Sequence, residues 1–231
     1  MKNLIPRVIL FSLIVFPLIK FREFYEHFYA YLSGNVINNV IIGNWKIVII
    51  SIILFLLFLI PLSYRKKANW VEYGLVSAFF ISLFIEMYGI PLTILFASKY
   101  FYDSNFINPN NIIEFNLFGV GFGMDWAMFY AAFIITLGII LITVSWITLY
   151  LGIKKNRFVT SGIYKYSRHP QYLGFILIIL GWFIGWPTIL TLIMSPILIY
   201  NYIRVCKKEE KELIKNNPEI RDYYNKTPFF V

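Results

Sequence analysis

The amino-acid sequence predicts an all-α integral membrane protein. We expect a polytopic bundle of about five to six transmembrane segments with a C-terminal helical hairpin and a cytoplasmic C-terminal helix. Hydrophobic residues make up 59% of the 231 residues and charged residues only 14%, whereas soluble domains carry about 25% charged residues. Several apolar runs approach the ~20 residues that a helix needs to cross a bilayer, and the basic residues cluster just outside those runs. One membrane domain, residues 1–231, is therefore expected.

The first predicted helix covers Leu4–Phe24. Its apolar core resembles that of a signal peptide, but no small-residue cleavage site follows, so we expect the helix to be retained. An aromatic stretch, Phe24–Leu32, comes next and contains His27. Histidine can bind a ligand or carry a proton. An interfacial histidine bonded to water or a lipid headgroup is the simpler interpretation.

Two further spans are predicted at Trp45–Tyr64 and Trp70–Ala97. Glu86 lies in the middle of the second of these, and an acid at membrane depth is a functional candidate because its ionised form is costly there. A protonated or paired acid that packs helices together explains Glu86 equally well. From Lys99 to Met124 the chain turns polar and irregular. Its G-x-G-x-G run has no preceding strand, so we predict a tight interfacial turn and not a nucleotide-binding loop.

The fourth predicted helix covers Asp125–Leu151 and is followed by a polar loop. Two shorter apolar segments, Tyr172–Trp186 and Thr188–Tyr202, are joined by a Gly-Trp-Pro turn and predict a helical hairpin. The chain then leaves the membrane near Arg204 and continues as a charged helix, Lys207–Asn216.

The placement of charge predicts the topology. With the N-terminus, the 65–67 turn, the 152–171 loop and the C-terminal tail on one side, 17 of the 21 basic residues lie on that side. Such a bias marks the cytoplasmic face of a membrane protein. The net charge of +9 therefore indicates contact with membrane lipids, and nucleic acid is not an expected partner. The single cysteine, Cys206, excludes an internal disulfide, and no metal site is expected.

The polar stretch from Val159 to Gly174 is the candidate site. Pro170 suits the first turn of a helix, so the amides of that turn and Arg168 offer a place for a carboxylate or phosphate. Tyrosines in the stretch supply aromatic faces. Because the hairpin leaves the membrane where it entered, this stretch can meet Glu209 and Glu210, which suit an ammonium group or a pair of sugar hydroxyls. Together these groups match the parts of S-adenosylmethionine.

Each of these features also has an ordinary explanation when it is taken alone. Arg168 could extend its charge toward the interface, His169 could cap the helix and Pro170 could simply start it. The glutamates among lysines could form a solvated helix with i,i+4 pairs. Their position on facing ends of one hairpin favours a binding site.

Three stretches and a tail form a pattern in the last third of the chain. They are Val159-Thr160-Ser161-Gly162-Ile163-Tyr164, Arg168-His169-Pro170-Gln171-Tyr172-Leu173-Gly174 and Glu209-Glu210, followed by Tyr223, Tyr224 and Pro228. This pattern resembles the isoprenylcysteine carboxyl methyltransferase and phospholipid methyltransferase superfamily. The resemblance covers roughly residues 150–230. It implies a membrane enzyme that transfers a methyl group from S-adenosylmethionine to a lipophilic acceptor, which could be a prenylcysteine-like carboxylate or a lipid amine.

The resemblance also implies roles for individual residues. It assigns the polar end of the acceptor to Arg204. It assigns the cofactor to Phe158, Val159, Tyr164, His169, Pro170, Gln171 and Tyr172, and the cofactor's polar groups to one of Glu209 and Glu210. By their chemistry, Arg168 could orient an acceptor carboxylate in place of Arg204, and Glu86, Glu209 or Glu210 could act as the base for an amine acceptor. Two alternatives stay open: a sterol-reductase-like enzyme that uses NADPH, and a non-catalytic membrane scaffold or transporter.

Overall fold

The computed structural model describes residues 4–36, 53, 93, 96, 97, 99–103, 105–117, 119–153, 159–217 and 220–230. This part of the chain is mostly helical. Its six helices and one hairpin follow in chain order: α1 (Leu4–Ile19), α2 (Phe21–Leu32), β1 (Ile113–Leu117), β2 (Val120–Met124), α3 (Trp126–Ile153), α4 (Pro170–Gly185), α5 (Ile189–Asn216) and α6 (Arg221–Lys226). Lys99–Phe101 form one further short helical turn. Most of the second and third predicted spans, with Glu86, lies outside the described residues.

Two of these helices, α3 and α5, are long and apolar enough to cross a membrane. Both keep much of their apolar surface outside the protein core. On α3, for example, Phe133, Ile140 and Ile147 are each more than half exposed. Exposed apolar helix surface of this length is what a bilayer covers. The chain therefore has the helices expected of a membrane protein, and the number of its spans stays a prediction.

The first predicted helix is shorter than expected, because it ends at Ile19 and a second helix begins at Phe21. The apolar run stops at Lys20, where charged side chains take over. Lys20 pairs with Glu23 at 2.8 Å, and Arg22 pairs with Glu26 at 2.8 Å. These pairs join residues three and four apart in the chain, where they stabilise α2 locally.

His27 is buried and pairs with a side chain, so its predicted hydrogen bond to water or a lipid headgroup is wrong. Its side chain is 1% exposed, and its Nδ1 lies 2.6 Å from Oδ2 of Asp125. The other carboxylate oxygen of Asp125 accepts a hydrogen bond from the Met128 amide at 2.8 Å, so Asp125 caps the start of α3. The pair thus fixes α2 to the residue that begins α3.

The segment before α3 contains a β-hairpin, which corrects the all-α prediction and the expectation that no strand precedes the G-x-G-x-G run. Strands β1 and β2 pair antiparallel from Ile113 opposite Met124 to Leu117 opposite Val120. The G-x-G-x-G run lies in the loop and in β2. Gly119 adopts a φ of +78°, which glycine takes without the steric cost that a side chain brings.

The chain divides into two compact units. One unit contains Met1–Ile19, Phe133–Gly181 and Ile199–Val231, and the other contains Lys20–Ala132 and Trp182–Leu198. The second unit holds the hairpin and the His27–Asp125 pair. The first unit holds the polar loop, the first part of α4 and the charged part of α5, and it therefore contains all the residues of the candidate site.

Within the first unit, α3 and α4 cross at two glycines. A Cβ atom on Gly174 would lie 2.7 Å from the carbonyl oxygen of Gly138, and one on Gly138 would lie 2.6 Å from the carbonyl oxygen of Gly174. Real Cβ atoms do not come this close to backbone oxygens, so only glycine allows the two backbones to touch. This crossing fixes the first turns of α4 against α3.

Candidate functional site

The loop before α4 is shaped by one glycine and one proline. Gly162 adopts a φ of +63° and begins a 3-10 turn, Gly162–Lys165. Pro170 is the first residue of α4, and the Leu173 amide donates to the carbonyl oxygen of His169 at 3.0 Å. The prediction that Pro170 starts the helix is confirmed. Arg168 and His169 consequently stand at the N-terminus of α4.

The carboxylate of Glu210 contacts both of these side chains. Arg168 Nη1 lies 3.0 Å and His169 Nε2 2.9 Å from the same carboxylate oxygen, Oε1. Because a carboxylate only accepts hydrogen bonds, Nε2 of His169 must carry the proton. A neutral His169 therefore has an acceptor lone pair on Nδ1, which a ligand could use.

The neighbouring acid, Glu209, is bound from a different side. The hydroxyl of Tyr172 donates to Oε1 of Glu209 at 2.6 Å. Tyr172 also packs on Tyr202 with ring centroids 5.9 Å apart. Tyr202 precedes Glu209 by seven residues, which is close to two helical turns, so both lie on the face of α5 that meets α4. Since adjacent helical residues point about 100° apart, Glu209 contacts the first turn of α4 and Glu210 contacts the end of the loop that precedes it.

The C-terminal tail closes the site from another direction. The Arg168 amide donates to the carbonyl oxygen of Pro228 at 3.1 Å, and Ser167 Oγ donates to that of Phe229 at 3.4 Å. The Phe229 ring lies 4.9 Å from the His169 ring. The Arg168 guanidinium lies 5.1 Å from the Tyr224 ring and 5.4 Å from that of Phe229. Arg168 is thus held by a carboxylate and by two aromatic faces.

Two further hydrogen bonds connect the 3-10 turn to the rest of the site. Tyr223 donates its hydroxyl to the carbonyl oxygen of Tyr164 at 2.6 Å. Gln171 donates its side-chain amide to the hydroxyl of Tyr164 at 3.0 Å. Tyr164 is itself buried. The loop, the start of α4 and the tail therefore form one hydrogen-bonded cluster.

Burial sets the protonation states of the site. It lowers the pKa of His169, and the hydrogen bond to Glu210 opposes that change only in part. Burial also raises the pKa of Tyr223 and of Tyr224 to about 12. The imidazole and both phenols are therefore uncharged at neutral pH.

The structure brings most of the predicted site residues together. Seven belong to one cluster: Tyr164, Arg168, His169, Gln171, Tyr172, Glu209 and Glu210. Pro170 is the first residue of α4, next to His169 of the cluster, and Val159 precedes the 3-10 turn. Phe158 lies outside the described residues.

Arg204 is not part of this cluster. It is exposed, and it follows Tyr202 by two residues, which places it about 200° round α5 from the face that carries Tyr202 and Glu209. The contact of Arg204 with the acceptor stays a prediction, and it would form on a different face of α5 from the one that carries Tyr202 and Glu209.

Three contacts were missed from the sequence. Phe229 packs on His169, Ser167 bonds to the tail, and Tyr202 stacks on Phe175 with centroids 5.5 Å apart and rings 4° from parallel. The aromatic tail, with Pro228 followed by Phe229 and Phe230, was the available signal for the first two. Spacing alone does not say where such a tail folds back.

The described residues contain no group of three or more His, Cys, Asp or Glu side chains that could hold a metal ion. What the cluster offers is a guanidinium, two carboxylates, one imidazole acceptor and several aromatic faces. Such a set is chemically suited to an organic ligand that carries both charges. The fold and the site together define a helical protein with long apolar helices and a cluster of charged and aromatic side chains at the N-terminus of α4.

Part of the chain that contains this cluster matches a known protein family. Residues 126–217 match the model of the phospholipid methyltransferase family. The match covers α3, the loop, α4 and α5, and the resemblance read from Arg168 to Gly174 and from Glu209 and Glu210 is confirmed for this segment.

One curated relative is similar over part of the same chain. It is the cobalt-zinc-cadmium resistance protein CzcN of Cupriavidus metallidurans, 37% identical over 100 residues. Those residues are 41% of this chain and 45% of the relative, so the chain spans less than half of that protein. No solved structure matches the chain.

Proposed function

We propose that this protein is a membrane methyltransferase that moves a methyl group from S-adenosylmethionine to a lipophilic acceptor at the cytoplasmic interface. The observation that carries the proposal is the convergence of Arg168, His169 and Tyr172 on Glu209 and Glu210. It occurs inside the segment that matches the phospholipid methyltransferase family. This family uses S-adenosylmethionine as its methyl donor and acts on lipids.

The residues present fit S-adenosylmethionine. Nε of Arg168 is buried and, among the described residues, has no hydrogen-bond partner. An unpaired buried donor of this kind is costly, and the carboxylate of an amino acid would satisfy it. Oxygens of Glu209 and Glu210 suit an ammonium group or ribose hydroxyls. The Tyr172 and Phe229 rings suit an adenine or a sulfonium, which aromatic faces attract.

The chemistry divides between the cofactor and the protein. When bound, S-adenosylmethionine supplies an electrophilic methyl group next to a sulfonium. The chain's own residues hold the donor, align the acceptor and keep water away, because an in-line displacement depends mainly on alignment and electrostatics. A carboxylate acceptor is ionised at neutral pH and needs no base. An amine acceptor must lose a proton, and a glutamate of the cluster is the base that we propose for that case.

Arg204 fits a separate task in this scheme. Its exposed position on α5 suits contact with the polar end of an acceptor that approaches from the membrane surface. We expect Arg204→Ala to raise the KM for the acceptor while leaving cofactor affinity largely unchanged. Weakened cofactor binding with an unchanged acceptor KM would instead assign Arg204 to the cofactor.

The test begins with cofactor binding. The purified chain in detergent is titrated with S-adenosylmethionine by calorimetry, and NADPH is titrated in parallel. We expect binding of S-adenosylmethionine and none of NADPH, and we expect His169→Ala to weaken that binding. Binding of NADPH alone would favour a reductase, and binding of neither would favour a scaffold or transporter.

The acceptor is then identified directly. Native membranes that contain the protein are incubated with S-adenosylmethionine labelled in its methyl group, and the labelled product is isolated. We expect label in the lipid fraction, and its loss in membranes that contain Glu210→Gln. Label that persists unchanged in the variant would come from another enzyme and would count against this site.

A further inference from the structure

The β-hairpin that precedes α3 has two chemically different faces. Residues directly opposite each other in an antiparallel pair share a face, and alternate residues along a strand share it too. One face therefore carries only apolar side chains. Its members are Ile113, Phe115, Leu117, Phe122 and Met124.

The opposite face is polar and flat. Glu114 pairs with Gly123, and Asn116 pairs with Gly121, so two polar side chains stand across from two glycines. The Asn111 amide donates to Glu114 at 3.2 Å and lies over Gly123, in the space that a Cβ atom would fill. This face is suited to water.

The side chains of β1 on the apolar face are exposed, and those of Phe122 and Met124 are half-buried. Phe115 and Phe122 stack with ring centroids 5.4 Å apart. Ile113, Phe115 and Leu117 nevertheless remain 40%, 39% and 37% exposed. Apolar side chains are less favourable in water than against a medium of low polarity, so this face gains free energy when lipid or another apolar surface covers it.

The connection to α3 indicates what covers it. Only Asp125 separates Met124, the last residue of β2, from Trp126, the first residue of the apolar helix α3. Two residues reach at most about 7 Å, so the end of the hairpin lies within that distance of the start of a membrane-length helix. The Lys20 ammonium lies 4.7 Å from the centroid of the Trp126 ring. Tryptophan and lysine at a helix end are typical of the membrane interface.

The dimensions of the hairpin limit how it meets the membrane. Five residues per strand extend about 16 Å, which is too short for a bilayer core of about 30 Å. Among the described residues the sheet has only these two strands, so each strand has one edge without a strand partner, and the hydrocarbon region does not tolerate backbone groups that lack hydrogen bonds. The hairpin can therefore lie on the membrane with its apolar face down, but it cannot cross it.

A second copy of the chain is a poorer occupant. Two strands about 16 Å long and about 5 Å apart present a face of roughly 160 Å². A stable protein interface buries about 800 Å² on each partner. The face is large enough to anchor a hairpin on lipid, but too small to hold two proteins together.

We propose that the face formed by Ile113, Phe115, Leu117, Phe122 and Met124 rests on the lipid bilayer, at the boundary between headgroups and acyl chains, while Glu114 and Asn116 face water. The hairpin is then a membrane-surface element attached to the start of α3. This inference rests on the proposed membrane location, but not on methyl transfer.

Site-directed spin labelling tests the proposal. The chain has one cysteine, Cys206, which is buried, and Cys206→Ala provides the background. Phe115→Cys and Leu117→Cys place a label on the apolar face, and Asn116→Cys, between them, is the matched control. Each labelled chain is reconstituted in vesicles of phosphatidylcholine and phosphatidylglycerol. Collision rates are then measured with oxygen, which concentrates in lipid, and with a water-soluble nickel complex.

We expect labels at 115 and 117 to collide mainly with oxygen and the label at 116 to collide mainly with the nickel complex. Equal nickel accessibility at the three positions would put both faces in water and overturn the proposal. Shielding of 115 and 117 from both reagents would show protein contact, and spin coupling between labels at 115 would show a second copy. Either result would also overturn it.

A label on α3 separates this inference from the membrane location itself. Ile140 is exposed on α3, and Ile140→Cys in the same background should collide with oxygen. If Ile140 collides with oxygen while 115 and 117 collide with nickel, only the hairpin proposal fails. If Ile140 also collides with nickel, the membrane location fails as well.

Discussion

Glu210 is the side chain on which the charges of the site converge, since one of its oxygens accepts from both Arg168 and His169. Its neighbour Glu209 accepts from Tyr172, whereas Glu212, two residues further along α5, is exposed. Three acids within four residues of one helix therefore have three different surroundings. The sequence alone makes them look alike.

Glu210→Gln should weaken S-adenosylmethionine binding most strongly among these acids. The substitution removes the charge that positions Arg168 and His169, and hydrogen bonds to charged groups contribute about 1.5–3 kcal/mol. We expect the affinity to fall roughly tenfold to a hundredfold, since about 1.36 kcal/mol corresponds to a factor of ten. Calorimetric titration measures it.

Glu209→Gln and Glu212→Gln are the matched comparisons. Glu209→Gln keeps an oxygen that accepts from Tyr172, so we expect a smaller loss, and Glu212→Gln should bind like the unmodified chain. Equal affinity for S-adenosylmethionine in all three variants would show that these acids belong to an ordinary solvated helix and not to the binding site.

His169 should make the protein less stable as the pH falls. Burial holds the pKa of folded His169 below the value of about 6.5 that it has in the unfolded chain. As the pH falls below about 6.5, the unfolded chain takes up the proton first, so the free energy of unfolding decreases until the pKa of folded His169 is reached. His169→Gln keeps an N–H donor but does not titrate, and it should lack this part of the pH dependence.

The measurement is the apparent unfolding temperature in detergent between about pH 7.5 and about pH 5. The chain's other histidine, His27, is present in both proteins and cancels in the difference. If the unmodified protein instead gains stability relative to His169→Gln as the pH falls, His169 is an imidazolium paired with Glu210.

At the scale of elements, the start of α4 was predictable and the hairpin was not. Pro170 fixes a helix start through its own geometry, and the prediction needed no tertiary contact. Strands β1 and β2 are five residues each, and β2 contains two glycines, which are poor strand formers. Their pairing depends on a register set by Gly119 and by apolar contacts across the strands, and no local signal shows that register.

Gly174→Ala should loosen the crossing of α3 and α4. The new Cβ atom would lie 2.7 Å from the Gly138 carbonyl oxygen and 2.6 Å from Cγ1 of Ile142, so the helices must move apart. Overpacking of this kind costs about 1–3 kcal/mol. We expect a lower unfolding temperature in detergent, and weaker cofactor binding because the same helix positions His169.

Gly121→Ala is the control for this substitution. Among the described residues, no atom lies within 4 Å of the Cβ atom that it would add. The unfolding temperature of Gly121→Ala should equal that of the unmodified protein. A Gly174→Ala protein as stable as this control would show that the two backbones do not touch.

Across the full chain, the sequence predicted that the loop before α4 meets the glutamates of α5, but it did not predict that the C-terminal tail packs against that loop. Arg168, His169 and the two glutamates could be placed together because a hairpin returns to the surface from which it started. The contacts of Phe229 could not be predicted, because Phe229 lies 60 positions after His169 and the spacing of residues along the chain does not indicate a long-range contact. Arg204 shows the converse: its sequence position suggested a place beside the glutamates, but its helical phase puts it on a different face of α5 from Tyr202 and Glu209.

The tail makes the last testable contribution to the site. Phe229 packs on the ring of His169, and the carbonyl oxygen of Pro228 accepts from the Arg168 amide. Phe229→Ala removes the ring, and such aromatic contacts contribute about 0.5–1.5 kcal/mol. We therefore expect roughly twofold to tenfold weaker S-adenosylmethionine binding. A chain that ends at Thr227 loses the carbonyl acceptor as well and should bind more weakly still.

Phe230→Ala is the matched control, because Phe230 contacts the ring of Phe229, one step removed from His169. Calorimetric titration of the three variants should give affinities in the order Phe230→Ala, Phe229→Ala and the truncated chain, from tightest to weakest. Because Arg168 and His169 are ordered by groups from α5 and from the tail, losing one of these supports should leave some binding. A truncated chain that binds as tightly as the full chain would show that α5 alone positions the loop.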